Sequence, residues 1–416
     1  MMTNPDPEGP NVLDIARELV RIPSPNPPGD ERAVAKLVHD LLPALQLPEA
    51  QVIARHESRP NLWVTLDFGA GGRHLVLSGH LDTKPVGDAT WSVDPFAADV
   101  EGDRLYGLGS GDMKGALAAM LVAASGLARN APSCGRLSLL FTADEENGSA
   151  FGAHHVAHSV PLDADGVVIG EPGGIHEDYD RLHLVSRGII RLRLVARGRQ
   201  GHSSMSDELG ARNAGVDAAR AVTEVADSLT LDTPENVHGL GGWTPTVNTG
   251  MAYRGGVGFG VMPGVMAVDT EVRLLPGMQR GAVSEAFTAL AERVSEKTGG
   301  DLRIEFDQPP NDWLPATLVV PSDPLVEAAR SACQAVLDAE PAPAVFPGTT
   351  DATWFNAVQN LPTLPALGPG LLRRAHSADE WVSITAVGQA AELYTYLATA
   401  YCSGGAIPVA HEEIRG

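Results

Sequence analysis

Strand-like and helix-like segments alternate along the first part of this chain, change order in the middle and then resume. Apolar runs such as Leu75–Gly79 and Leu137–Thr142 indicate buried strands, and Met113–Leu127 has the alanine- and leucine-rich composition of a buried helix. Strands that alternate with helices favour a sheet covered by helices. The sequence therefore predicts an α/β fold.

The pattern changes near Leu182. The segment Leu184–Arg197 alternates apolar and charged residues, as a half-exposed antiparallel strand does. It begins a series of strand, helix, two strands, helix and strand, which is the order of a ferredoxin-like domain. Buried α/β character resumes after about Pro315. We predict a mixed-sheet catalytic domain interrupted by an α+β domain. The predicted boundaries are 1–183 and 312–416 for the catalytic domain and 184–311 for the inserted domain.

The length of the chain agrees with this organisation, and its charge excludes some classes of binding partner. A chain of 416 residues exceeds what one hydrophobic core usually supports. Its 52 acidic and 30 basic side chains give a formal net charge of −22. Such a surface repels phosphate backbones and anionic lipid, so nucleic acid and membranes are poor partners. The three cysteines form no CxxC pair and the N-terminal sequence lacks signal-peptide features, so we expect a cytoplasmic protein.

Acidic and histidine side chains follow several of the predicted strands. His80 and Asp82 come after one apolar run, Glu145 and Glu146 after another, and Glu171 after a third. Asp82 shares a face with His80 and can hold its ring in the tautomer that leaves one nitrogen free for a metal. Of two adjacent carboxylates, one can bind metal while the other takes a proton from water. Taken singly, His80 and Asp82 are equally compatible with an ordinary strand end, and the glutamates are more typical of a solvated acidic turn or strand end.

Asp112 and His376 extend this set. Asp112 stands between a glycine-rich turn and the predicted helix, where it is either an ordinary N-cap or a carboxylate that bridges two metals. Gly107 and Gly109 resemble the start of a dinucleotide-binding loop, but Asp112 replaces the third glycine and would repel phosphate. His376 follows the turn LPALGPG. Two histidines with several carboxylates are the ligands expected for zinc or cobalt rather than calcium.

Six segments of the chain resemble one enzyme family, that of acetylornithine deacetylase, succinyl-diaminopimelate desuccinylase, aminoacylase and glutamate carboxypeptidase. In chain order they are GHLDT, GDMKG, DEENGS, IGEP, GHSS and AHSADE. They extend over nearly the whole sequence. The resemblance implies a two-metal amide hydrolase whose catalytic domain is interrupted by a lid domain that often dimerises.

The resemblance also implies a role for each matching residue. The implied metal ligands are His80 and Glu171 for one ion, Glu146 and His376 for the other, and Asp112 as a bridge between both. Glu145 would be the general base, and Asp82 would orient His80. The implied cofactor is a pair of divalent ions, with zinc expected first and cobalt or manganese as alternatives.

Three residues of the inserted domain match family positions that act on substrate. His202 in GRQGHSS matches a lid histidine that reaches the site across a dimer, and Arg273 matches an arginine that often holds a substrate carboxylate. Asn248 would help to bind the oxyanion. One segment departs from the family, since FPGTTDATWF carries Thr353 and Trp354 where desuccinylases carry an arginine. This difference argues against a succinylated, doubly acidic substrate.

The predicted activity is hydrolysis of the amide bond of a small N-acyl amino acid or similar amide by a homodimer. A carboxypeptidase or dipeptidase is the nearest alternative, because it differs only in which side of the amide carries the free carboxylate. A deaminating aminohydrolase is a second alternative. A metal-binding protein without catalysis is a third, and the Glu145–Glu146 pair argues against it because such a protein needs no base.

Overall fold

A computed structural model describes residues 11–208, 210, 212–234 and 243–404. The outer ends of the predicted catalytic domain, residues 1–10 and 405–416, lie outside these ranges. The described chain forms two compact units: the insert, Arg187–Ala316, and the flanking unit, which comprises the described residues up to Ser186 and from Thr317 onwards. Within the described residues, no helix combines the length and the apolar character that a membrane crossing requires.

Helices and strands alternate along most of the chain. Among the described residues the α-helices are α1 (Val12–Val20), α2 (Arg32–Leu41), α3 (Gly115–Arg129), α4 (Ala153–Ser159), α5 (Ala214–Ser228), α6 (Arg280–Thr298), α7 (Pro324–Leu337), α8 (Ala352–Gln359) and α9 (Ile384–Cys402). The strands are β1 (Gln51–Ala54), β2 (Pro60–Asp67), β3 (His74–His80), β4 (Val100–Glu101), β5 (Arg104–Tyr106), β6 (Arg136–Thr142), β7 (Gly166–Ile169), β8 (Pro172–Gly174), β9 (Arg181–Ser186), β10 (Gly188–Arg197), β11 (Gly201–His202), β12 (Thr246–Gly255), β13 (Val261–Met262), β14 (Val265–Leu274), β15 (Asp301–Phe306), β16 (Trp313–Leu314), β17 (Thr317–Leu318), β18 (Ala342–Phe346), β19 (Thr363–Leu364), β20 (Gly368–Leu371) and β21 (Trp381–Ser383).

A six-stranded mixed sheet forms the centre of the flanking unit, in the order β1-β2-β6-β3-β7-β19. β1, β2 and β6 pair antiparallel, whereas β3 runs parallel to both β6 and β7. Every residue of β3 is buried, as expected of a central strand with both faces covered. The predicted mixed α/β sheet is confirmed. Because parallel strands end at the same edge, His80 lies beside Thr142, the last residue of β6.

Helix α3 fills the core of the flanking unit beside α1 and α9. Its sequence, GALAAMLVAASGLAR, is rich in small residues, which let neighbouring backbones approach closely. Leu117 and Met120 on this helix are fully buried. Burial of one such side chain contributes about 1.5–3 kcal/mol relative to exposure. The start of α3 is thereby fixed next to the edge where β3 and β6 end.

The insert has the predicted ferredoxin-like order, β10-α5-β12-β14-α6-β15. Its strands form an antiparallel sheet in the order β12-β14-β10-β15. Helices α5 and α6 cover one face of this sheet, where Leu194, Val268 and Phe287 belong to a buried cluster. The opposite face carries the alternate residues of each strand, as the period of two requires.

The structure divides the predicted strand Leu184–Arg197 into two strands that belong to different units. β9 pairs with β17 and β18 of the flanking unit, whereas β10 pairs with strands of the insert. A Cβ on Gly188 would lie 2.4 Å from the Leu314 carbonyl oxygen, so only glycine fits at the start of β10. The insert therefore spans Arg187–Ala316, where the sequence suggested 184–311. Hydrophobic alternation continues on both sides of Arg187, so the pattern alone does not reveal the division.

Helix α4 packs against α8 through an aromatic contact. The His154 ring meets the Trp354 ring edge-on, with 4.6 Å between their centroids. Burial, together with the nearby His158, lowers the pKa of His154 from 6.5 to about 4. The unfolded chain thus binds a proton more readily here than the folded chain. The contribution of His154 to stability is complete above the unfolded pKa and is lost as the pH falls towards about 4.

We predict that His154→Phe weakens acid destabilisation, because phenylalanine keeps a ring against Trp354 but cannot take a proton. Since the His154 ring is only partly buried, solvent screening should limit the difference to about 1 kcal/mol. Urea unfolding of metal-free protein at neutral pH and at about pH 5 measures it. The exposed His176→Phe is the matched control. An equal loss of stability in wild type and His154→Phe would contradict the prediction.

Candidate metal centre

Three parallel strands bring acidic and histidine side chains to one edge of the six-stranded sheet. β3 ends at His80, β6 is followed by Glu145 and Glu146, and β7 is followed by Glu171. The order β6-β3-β7 makes these strand ends neighbours. His80 is 1% exposed and Glu171 is 5% exposed. The side chains are therefore largely withdrawn from water at the place where the sequence predicts a site.

Asp112 reaches the same edge from the segment that precedes α3. Its φ of −122° and ψ of 86° are not helical, and Lys114 occupies the N-cap of α3. The ordinary N-cap role is thus excluded. His80 Nε2 lies 2.9 Å from Asp112 Oδ1, and His376 Nε2 lies 3.2 Å from Asp112 Oδ2. The two oxygens of Asp112 therefore face two different histidines, which is the arrangement a bridging carboxylate needs.

Two groups of ligand atoms result, and Asp112 belongs to both. Within each group the atoms lie within 4.8 Å of one another, and the groups are His80, Asp112 and Glu171, and Asp112, Glu146 and His376. His80 Nε2 is 3.6 Å from Glu171 Oε1, and His376 Nε2 is 3.0 Å from Glu146 Oε1. The structure thus brings together all five residues that the sequence proposes as metal ligands.

Burial and neighbouring charges perturb ionisation throughout this cluster. Burial, with the charge of Asp112, raises the pKa of Glu171, and burial also raises the pKa of Glu145. Burial opposes protonation of the histidines most strongly, but hydrogen bonds to Asp112 and Asp82 and the charges of Glu171 and Asp112 together outweigh it and raise the pKa of His80. The same balance raises the pKa of His376 to about 10. The cluster is stable only when it holds positive charge.

The donor set fits divalent metal ions. Each group offers one imidazole nitrogen and two carboxylates, which are ligands that zinc takes in proteins at about 2.0–2.2 Å. Two divalent ions would supply the positive charge that protons otherwise supply, so binding should weaken in acid. Lys84, which the sequence did not single out, adds one further cation, with Nζ 3.1 Å from Glu146 Oε2.

Asp82 is fully buried and organises the neighbours of the cluster. His80 Nδ1 lies 2.9 Å from the Asp82 carbonyl oxygen and 3.5 Å from its carboxylate Oδ1, so Nε2 is the nitrogen that faces Asp112. The Asp82 carboxylate also accepts the backbone N–H groups of Glu145, at 3.2 Å, and Glu146, at 3.1 Å. The sequence suggested the contact with His80 but not the contacts with the two glutamates.

Glu380 is a further residue of this centre that the sequence interpretation missed. It is 1% exposed, and its carboxylate accepts the backbone N–H groups of Gly109, Gly111 and Asp112 at 3.0, 3.0 and 3.1 Å. Burial, with the charge of Asp112, raises the pKa of Glu380 to about 8. Glu380 therefore fixes the glycine-rich turn that presents Asp112. The available signal was its place in AHSADE, four residues after His376.

The remaining predicted site residues belong to the insert, and His202 is exposed. It ends β11, which pairs with β13. His202 Nδ1 accepts the backbone N–H of Ser204 at 3.3 Å and lies 2.8 Å from its hydroxyl oxygen. With Nδ1 acting as the acceptor, the neutral ring carries its hydrogen on Nε2. His202 thus offers a hydrogen-bond donor at the surface of the insert.

Arg273 and Asn248 share one face of the insert sheet. Arg273 lies on β14 between Val272 and Leu274, which point into the core under α5 and α6. Asn248 on β12 stands opposite Glu271 of β14, two residues from Arg273. Both predicted substrate-binding side chains therefore lie on the face away from the helices. Arg273 Nε also donates to Glu271 Oε1 at 2.7 Å.

Known sequences match this chain over most of its length. The pattern of Peptidase family M20/M25/M40 matches residues 76–400, which is well over half of the chain. The succinyl-diaminopimelate desuccinylase of Parvibaculum lavamentivorans is 28% identical over 404 residues, covering 95% of this chain and 96% of the relative.

Solved structures share the fold. An M20 family metallo-carboxypeptidase from Sulfolobus solfataricus gives a TM-score of 0.75 at 21% identity, covering 95% of this chain and 99% of that one. A dinuclear metal binding peptidase of the M20 family from Bacillus subtilis gives a TM-score of 0.68 at 16% identity, covering 94% of this chain and 97% of that one. At these sequence identities the similarity shows a shared fold and nothing more specific.

Glu145 and Glu146 are adjacent, yet we predict different effects for the same substitution. Glu145→Gln cannot accept a proton, so kcat should fall about 10²–10⁴-fold while the metal stays bound. Glu146→Gln removes a charged ligand, so metal affinity should fall first, and excess metal should restore part of the activity. Elemental analysis and kcat of both variants, beside a wild type that binds about two ions per chain, test this.

The reverse result has a clear meaning. If Glu145→Gln loses metal while Glu146→Gln keeps it and is inactive, the two roles are exchanged. A wild-type protein that holds almost no metal, and regains none with added zinc or cobalt, would contradict the two-metal centre itself.

Proposed function

Because this chain belongs to Peptidase family M20/M25/M40, a family of metal-dependent hydrolases of amide and peptide bonds, we propose that it deacylates small N-acyl amino acids. The observation that supports this activity most strongly is the pair of ligand groups joined by Asp112. Glu145 is close enough for the charges of His80, Glu146 and Asp112 to act on its pKa. We propose zinc as the metal pair, with cobalt or manganese as alternatives.

The proposed mechanism assigns the proton transfers to Glu145. Two divalent ions, when bound, lower the pKa of water and polarise the amide carbonyl. Glu145 accepts a proton from the attacking water as its oxygen bonds to the carbonyl carbon. Glu145 then gives that proton to the nitrogen as the C–N bond breaks, which leaves a carboxylic acid and an amine; transfer of the acid proton to the amine gives a carboxylate and an ammonium group. The raised pKa of Glu145, which burial causes, favours a group that both accepts and returns a proton.

We also propose that three residues of the insert act on the substrate. The Nε2–H of His202 would donate to the oxyanion of the tetrahedral intermediate, and one such donor is typically worth about 3–4 kcal/mol. Arg273 would bind the carboxylate of the amino acid, and Asn248, on the same face of the sheet, would assist with the oxyanion. A substrate carboxylate would compete with Glu271 for the Arg273 guanidinium.

The residues after Asp351 support a substrate with a single carboxylate. Thr353 and Trp354 lie in the first turn of α8, and both are buried, uncharged side chains. Trp354 instead packs against His154. Desuccinylases carry an arginine near this position, and this chain does not. We therefore propose a small neutral acyl group, such as acetyl, rather than succinyl.

We also propose a cytoplasmic location. The free cysteines of the described chain are Cys134, Cys333 and Cys402. Cys333 and Cys402 are buried. Free buried thiols are usual where the compartment keeps cysteine reduced.

A substrate panel tests the proposed function with zinc-loaded protein. We expect kcat/KM for N-acetyl amino acids to exceed that for N-succinyl amino acids and dipeptides by about tenfold or more, a ratio that pocket contacts can supply. A preference for dipeptides or C-terminal residues would instead establish a peptidase. Release of ammonia from non-amide C–N substrates would establish an aminohydrolase. Either result would contradict the deacylase proposal.

A homodimer through the insert is part of the proposal. β12 stands at the edge of the insert sheet, so one row of its backbone groups has no strand partner within the described residues. Met251 and Tyr253 on this strand, and Phe259 after it, are exposed apolar side chains. An exposed apolar edge strand is a template for pairing with another chain. A second copy of β12 is the proposed partner.

We predict that Tyr253→Lys converts the dimer to a monomer, whereas Val52→Lys on the exposed edge strand β1 leaves it dimeric. Analytical ultracentrifugation measures both.

His202→Ala should lower kcat about 10²–10³-fold with metal content unchanged, since only an oxyanion donor is lost. Exposed His176→Ala serves as its control.

If His202 acts across the dimer, the Tyr253→Lys monomer should lose kcat as His202→Ala does. A monomeric wild type, or a His202→Ala variant with full kcat, would contradict this part of the proposal.

A further inference from the structure

Arg59 is a buried cation of the flanking unit that lies outside the metal centre. Its side chain is 6% exposed, and the residue immediately precedes β2. Nη1 donates to Glu31 Oε1 at 2.7 Å, while Nη2 donates to Asn26 Oδ1 at 3.1 Å and to Asp144 Oδ1 at 2.5 Å. A guanidinium that is withdrawn from water needs such partners, and here one cation serves two carboxylates and an amide.

Asn26 connects this cation to the residues behind the ligands. It is fully buried, and its side-chain nitrogen donates to Asp82 Oδ2 at 2.8 Å and to Asp144 Oδ1 at 2.9 Å. The amide orientation follows from these partners, since its oxygen accepts from Arg59. A continuous path of hydrogen bonds thus runs from Arg59 through Asn26 to Asp82.

Asp82 carries the path to the reacting residues. Its carboxylate accepts the backbone N–H groups of Glu145 and Glu146. Asp144, which Arg59 also holds, directly precedes Glu145 and has a φ of 64°, a left-handed conformation that is uncommon for aspartate. Arg59 therefore holds the turn that contains Glu145 and Glu146 at two points, through Asp82 and through Asp144.

The proline-rich loop before α2 is shaped around the guanidinium. Gly29 has a φ of +80°, and a Cβ built on it would lie 1.5 Å from Arg59 Nη1. The backbone of Asn26 is fixed in turn, because its N–H donates to the Thr83 carbonyl at 2.8 Å. The loop thus packs closely around Arg59, and any side chain larger than that of glycine at position 29 would collide with the guanidinium.

We propose that Arg59 is a positioning residue for the hydrolysis. Through Asn26 and Asp82 it holds Glu145 and Glu146 in the positions that catalysis requires. This proposal deepens the proposed function and rests on it. Arg59 touches neither substrate nor metal ligand side chains. Its effect should therefore appear in kcat and in metal affinity, and not in KM.

The test compares Arg59→Lys with Arg55→Lys. Both arginines stack over Phe151, with 5.5 Å and 5.9 Å from guanidinium carbon to ring centroid, but Arg55 is exposed and has no bond to Asn26 or Asp144. Lysine keeps the charge and loses the fork that reaches several acceptors at once. At saturating zinc we expect Arg59→Lys to lower kcat about 10–100-fold with KM within about twofold, the range typical of residues that orient metal ligands. Arg55→Lys should match wild type.

A second variant separates positioning from loss of stability. Asn26→Ser removes the donor to Asp82 and leaves Arg59 in place, so it should lower kcat by a similar factor. If both residues act along one path, the double variant should lose about as much kcat as either single variant, rather than the product of the two losses. A purely structural role would leave kcat of the folded protein unchanged at a temperature well below unfolding.

Metal affinity, measured by competition with a chelator, makes the test independent of the substrate. If wild type hydrolyses nothing in the panel, the proposed function fails, and weaker zinc binding by Arg59→Lys and Asn26→Ser still supports the positioning role. Folded Arg59→Lys with wild-type kcat and zinc affinity would overturn the proposal. If Arg59→Lys does not fold, Asn26→Ser with wild-type kcat and zinc affinity would overturn it.

Discussion

Mutual repulsion among buried carboxylates governs the flanking unit of this protein. Asp112, Glu146 and Glu171 meet two histidines where β6, β3 and β7 end, with Glu145 alongside. Away from water, such a group is stable only when positive charge accompanies it, as protons or as divalent ions. The charge that stabilises the cluster is also the charge that activates water for amide hydrolysis. Stability of the site and its chemistry thus depend on one interaction.

A layer of buried polar contacts holds the ligands in place against that repulsion. Glu380 fixes the turn of Asp112 through three backbone N–H groups, and Asp82 fixes the turn of the two glutamates through two. His376 and Asp144 adopt left-handed backbone conformations, with φ of 59° and 64°. Such conformations persist where the surroundings determine them strongly, and they are concentrated at functional sites.

The sequence predicted what depends on periodicity and on strand direction. β3, β6, α3 and the order of the insert follow from apolar patterns. The position of His80, Glu145, Glu146 and Glu171 after strands indicated a shared sheet edge, whereas the roles of the five ligands came from the family resemblance. The sequence did not predict contacts between residues that lie far apart along the chain. Glu380 meets Gly109 across 271 positions and Arg59 meets Asp144 across 85, so neither contact follows from a local periodic pattern. Short strands such as β8 and β20 pair only because the fold brings them together.

We expect Asp112 to join two divalent ions in one site. Anomalous diffraction from crystals of the zinc-loaded protein, measured on both sides of the zinc absorption edge, tests it most directly. We expect two peaks per chain, about 3.5–4 Å apart, each beside a different oxygen of Asp112. One peak should contact His80 and Glu171, and the other Glu146 and His376. A single peak, or two peaks that do not contact Asp112, would contradict the claim.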